Sequence, residues 1–95
     1  MNVKKPPKVE LTIPIIQDME LAATNTAEVV AKHMGLSEEK TAEISMALIE
    51  ATINAFEHSE SKSSNVEIHF VIQGDTLVIK VSDHGKGFDL SLIHI

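Results

Sequence analysis

Val9-Glu-Leu-Thr-Ile13 alternates apolar with polar residues and meets Pro14, which predicts a strand at a sheet edge, where a residue with no N–H to donate is tolerated. The period then changes. Met19, Ala23, Ala27, Val30 and Met34 recur at the spacing of one helix face, so a first helix is expected from Asp18 to Met34, closed by Gly35. Ser37 predicts the cap of a second helix, with Glu38 and Glu39 in its first turn, where the helix dipole favours negative charge. That helix is expected to reach about His58, and a polar loop follows to Asn65. Val66, Ile68, Phe70 and Ile72 share one face of a strand, Gly74-Asp75 marks a hairpin turn, and Leu77, Ile79 and Val81 share the matching face of the returning strand. The order strand, helix, helix, strand, strand predicts an α+β two-layer sandwich with two helices packed on one face of a mostly antiparallel sheet.

Ninety-five residues, 43% of them hydrophobic, suffice for one domain with a thin core. Pro6-Pro7 and the lysines around them mark residues 1–8 as a flexible lead, residues 9–89 as the domain and residues 90–95 as an atypical tail. Eight basic residues against 14 acidic ones, a net charge of −6, argue against nucleic acid, whose phosphates are gripped by clustered Lys and Arg. The absence of cysteine excludes disulfides and thiolate metal sites. With neither a signal-peptide core nor a membrane-length apolar run, a cytoplasmic protein with no membrane role is the expectation.

Candidate chemistry begins on the second helix, where Glu50 and Asn54 stand one turn apart in an otherwise apolar stretch. At about 100° per residue, Glu43, Asn54 and Glu57 fall within roughly 40° of Glu50. Ala42, Ile49, Ile53 and Phe56 flank this stripe on one side, and Ile44, Leu48, Ala51 and Ala55 on the other. A narrow, acidic, lysine-free stripe between two apolar walls is expected to line a cleft. Asn54 suits a hard cation that keeps several waters and shares phosphate oxygens, and Glu50 suits a general base one turn away. Asp83-His-Gly-Lys-Gly-Phe88 follows a strand. An acid at a strand end accepts a hydrogen bond from an exocyclic amine such as that of adenine, and Gly85 and Gly87 let the backbone approach a flat base. Each motif alone has an ordinary reading: an exposed helix acid, an amide satisfying a helix contact, a strand-ending turn. Their order and placement together favour a nucleotide site. His33, His58, His69, His84 and His94 show no paired spacing for zinc, Met19, Met34 and Met46 are expected in the core, and Lys86 reads as a solvated loop lysine.

Glu50-x-x-x-Asn54 followed by Asp83-x-Gly85-x-Gly87 resembles the N-box and first glycine box of the gyrase and histidine-kinase ATPase superfamily. Over residues 9–89 the chain is most similar to the bacterial anti-sigma-factor serine kinases. That resemblance implies a Bergerat-type ATP site in which Asn54 holds Mg²⁺, Glu50 is the catalytic base, Asp83 reads adenine, and Gly85 and Gly87 shape the adenine end. It also implies phosphorylation of a serine on a small anti-sigma-factor antagonist, competition by a sigma factor, and a homodimer.

Family members continue from the first glycine box into a nucleotide lid and a second glycine-rich phosphate loop. Asp89-Leu-Ser-Leu-Ile-His-Ile95 contains no glycine and resembles neither, so a chain shortened after the first glycine box is expected, with weakened triphosphate binding and catalysis. Two alternatives stand beside the kinase: a non-catalytic module of the same fold that binds a partner, and the catalytic domain of another superfamily ATPase such as a sensor histidine kinase.

Overall fold

The computed structural model describes residues 5–58, 65–83 and 88–94. Two helices, α1 (Glu20–Met34) and α2 (Glu38–His58), lie on one face of a sheet made of β1 (Lys8–Pro14), β2 (Asn65–Gln73), β3 (Thr76–Asp83) and β4 (Phe88–His94). Every pairing is antiparallel and the strands stand in sequence order. The α+β two-layer sandwich is therefore as the periodicity predicts.

Each element follows from a local cause. Gly35 ends α1 at φ 75°, and the N–H groups of Gly35 and Leu36 donate to the carbonyls of Lys32 and Ala31 at 3.1 and 3.0 Å, the paired closure that a left-handed residue permits. Ser37 then starts α2. Its Oγ accepts from the Lys40 N–H at 3.1 Å, and its carbonyl accepts from the Thr41 hydroxyl at 2.8 Å. Gly74, at φ 61°, turns β2 into β3, with Gln73 opposite Thr76.

Alternation then fixes which strand face meets the helices. Ile13, Val66, Ile68, Phe70, Leu77, Ile79 and Val81 are buried on the inner face, beneath Ala23, Ala27, Val30 and Ala31 of α1 and Ile44, Leu48, Ala51 and Ala55 of α2. Alanines at the helix contacts bring the helical layer close to the sheet, and Phe70, fully buried, fills the centre. The other sheet face is largely polar: Glu10, His69 and Lys80 stand opposite one another across β1, β2 and β3.

Three expectations need correction. The lead does not end at residue 8, because the Pro7 carbonyl accepts from the Ile72 N–H at 2.9 Å and Lys8 pairs with Val71. The tail is a strand: Phe88 to His94 pairs with β3, with a register shift at Val81/Ser82 that passes over Leu90. Met46, expected in the core, is 72% exposed, although Met19 and Met34 do pack against it as expected. On the wheel Met46 lies beside Glu50, on the solvent side of α2, because the helix buries only the stripe that faces the sheet and α1.

Candidate functional site

α2 carries the first half of the site. Its buried stripe, Ile44, Leu48, Ala51, Thr52 and Ala55, docks the helix against the core and thereby sets the opposite stripe outward. Glu43, Glu50, Asn54 and Glu57 are all exposed there. Of the two apolar walls expected beside them, one is buried, and the other is open: Ile49 and Phe56 are half-buried, and Ala42 and Ile53 exposed. Among the described residues the stripe expected to line a cleft is a helix face exposed to solvent, with one of its two apolar walls buried.

β3 carries the second half. Asp83 is its last residue, paired with Val66 on one side and Phe88 on the other. Segment 59–64 joins the end of α2 to the start of β2, and β2 starts beside the end of β3. α2 also packs on β3 and β4. The C-terminal end of α2 is thus joined, through segment 59–64 and the first residues of β2, to the strand that pairs with Asp83. Gly85 and Gly87, and with them Lys86, lie outside the described residues.

Among the described residues the outer side of α2 is acidic. Four glutamates, Glu39, Glu43, Glu50 and Glu57, run along the outer side of α2, and a helix C-terminus adds partial negative charge from its last carbonyls. The nearest ion pair on that side, Lys40 Nζ to Glu43 Oε1 at 4.0 Å, sits in the first half of the helix. Among the described residues no group of three or more His, Cys, Asp or Glu forms a metal cage. Asn54, an exposed residue with the Glu50 carboxylate one turn away, is of the type that suits Mg²⁺, which keeps most of its waters and is shared with substrate phosphates rather than enclosed by protein.

Thr52, between Glu50 and Asn54 in sequence, turns inward. It is fully buried, and its Oγ1 has no hydrogen-bond partner among the described residues. Residues of another kind that sequence patterning missed are Val29 and Met46, exposed apolar side chains beside a groove of about 1020 Å³ between α1 and α2. Neither Glu50 nor Asn54 lines that groove. The wheel position of Met46 beside Glu50 was the available signal. No helix among the described residues is long and apolar enough to cross a membrane.

Comparison with known proteins gives a consistent family. Residues 15–93 match the histidine kinase-like ATPase domain. A serine-protein kinase RsbW from Oceanobacillus iheyensis is 32% identical over 87 residues, which cover 90% of this chain and 55% of that protein. The RsbW of Halalkalibacterium halodurans is 26% identical over 90 residues, and that of Bacillus subtilis 30% identical over 83. The chain spans about half the length of these curated relatives, 52 to 56% of each.

Proposed function

Because this chain belongs to the histidine kinase-like ATPase domain family, we propose that it binds Mg-ATP and transfers its terminal phosphoryl group to a serine of a small anti-sigma-factor antagonist. One observation carries the proposal: Glu50 and Asn54 share the solvent-facing stripe of α2, and Asp83 is the last residue of β3, a strand on which α2 packs. In this reading Asn54 supplies an amide oxygen to the cation, Asp83 accepts the exocyclic amine of adenine, and Gly85 and Gly87 flank the base. Glu50 takes the proton of the serine hydroxyl as its oxygen bonds to the γ-phosphorus and ADP leaves. Mg²⁺, when bound, offsets the charge of the phosphates against the glutamate row. A sigma factor that competes for the kinase and a homodimeric, cytoplasmic enzyme complete the proposal, supported by the likeness to serine-protein kinases.

Incubation of the chain with Mg-ATP and a candidate antagonist, read by mass spectrometry, tests it. Phosphoserine is expected with the parent chain, and Glu50→Gln should lower the rate at least about 100-fold, the usual scale for a general base, while keeping nucleotide affinity. Undiminished transfer by Glu50→Gln would remove Glu50 as base. Nucleotide-independent partner binding without any transfer would favour a non-catalytic module.

A further inference from the structure

Away from the nucleotide end, the helical layer presents an apolar surface that the proposed kinase chemistry does not use. Val29 is 69% exposed and Met46 72% exposed, and with Ala42 and the half-buried Leu36 they line the groove of about 1020 Å³ between α1 and α2. Both large side chains project from rigid helices rather than from a loop. The Ser45 Oγ, which also lines the groove, is buried with no hydrogen-bond partner among the described residues.

Charge around the groove is uneven. Glu28 and Glu38 stand at its lining, and beside Met46 the exposed Glu39 and Glu43 continue the acidic side of the first half of α2. Among the described residues the basic groups at its lining are Lys32 and His33 near the end of α1, and Lys40 is paired with Glu43. Two helices joined by the short turn at 35–37 leave a furrow of the shape a third helix fills in ridge-and-groove packing. α1, at 15 residues, is about 22 Å long, enough to seat several turns.

We propose that this outer groove docks an amphipathic helix of a partner protein, apolar on one stripe and basic on the flank that meets the glutamate row of α2. The apolar stripe covers Val29 and Met46, and the basic flank selects against acidic helices, the division of labour found in helix-in-groove recognition. The proposal does not rest on nucleotide binding.

A fluorescent helical peptide with leucines at i, i+3, i+4 and i+7 and flanking lysines is the probe, titrated against the whole chain by anisotropy. Its control carries glutamates in place of the lysines. The lysine peptide should bind at least about tenfold more tightly than the glutamate peptide, and Val29→Gln with Met46→Gln, which leaves all charges in place, should weaken it by at least about tenfold. Both positions are exposed, so the double variant should keep the parent circular dichroism. Amide shifts caused by the lysine peptide in the parent chain give a second readout, expected at residues 25–36 and 41–46 and absent at Asn54. Equal binding of the two peptides, unchanged binding by the folded double variant, or shifts centred elsewhere would overturn the proposal. A dimer of this chain that dissociates in the double variant would also overturn it, because the groove would then belong to a second copy.

Discussion

Thr52 is the residue whose chemistry and surroundings disagree most. A fully buried hydroxyl with no partner among the described residues forfeits its hydrogen bonds to water, and valine offers the same shape without that loss. Thr52→Val is expected to raise stability by about 1 kcal/mol in urea denaturation. A loss of stability would mean that the hydroxyl is bonded. On the open sheet face Lys8 Nζ lies 2.8 Å from Glu10 Oε2. The hydrogen bond from Lys8, then the charges of Lys8 and His69, hold the Glu10 carboxyl below its ordinary range. A carboxyl lowered in the folded state stabilises the fold above its unfolded-state value, and that contribution is lost as pH falls through the folded value. Solvent around both side chains keeps the effect small. Carbon-detected NMR titration of Lys8→Met should show Glu10 protonating at higher pH than in the parent chain, and an unmoved titration would show that the pair does not form in solution. Such residue-level facts were mostly beyond the sequence. Periodicity marked Glu50 and Asn54 as sharing one side of α2, while Met46 was expected in the core, because what covers each side depends on elements far away in the chain.

At the scale of elements, the two ends of the helical hairpin turn are the points of greatest local demand. No atom lies within 4 Å of a methyl group built on Gly35, so crowding is not the issue there, but its φ of 75° is costly for any residue with a Cβ. Gly35→Ala should lose about 1 to 2 kcal/mol, with Gly35→Asn recovering part of it, as measured by thermal unfolding. Equal stability of the alanine and glycine forms would contradict the left-handed cap. Most elements were legible because each has one dominant period: two residues in β1, β2 and β3, and 3.6 in α1 and α2. β4 was not, although Phe88, Leu90 and Leu92 alternate with Asp89 and Ser91. The run is short, it follows two glycines, and a register shift interrupts its pairing, so its strand character comes from the open edge of β3 rather than from the run itself. Pro7 and Lys8 joined the sheet for a similar reason, since β2 extends far enough to offer them partners.

For the molecule as a whole, a single hydrophobic layer between helices and sheet organises two surfaces. One is the exposed stripe of α2 that carries Glu50 and Asn54, proposed to act with Asp83 at the end of β3, and the other is the groove around Val29 and Met46 on the outer side of the helical hairpin. The constituents of the first surface were readable as motifs, because oxygen donors one turn apart on a helix and an acid at a strand end have few joint explanations. Its open, solvent-facing character was not, since a wheel assigns directions without saying what stands opposite them. The groove was invisible to motif reasoning, which passes over unremarkable residues such as valine and methionine. The central claim is that the α2 stripe and the end of β3 form one nucleotide site. Two-dimensional amide NMR of the chain titrated with ADP, with and without Mg²⁺, tests it most directly. Magnesium-dependent shifts clustered at Asn54 and from Asp83 to Gly87, at least about tenfold weaker in affinity for Asn54→Ala, are the result the account predicts. A folded chain with no localised shifts, or with shifts indifferent to Mg²⁺ and to Asn54→Ala, would contradict it.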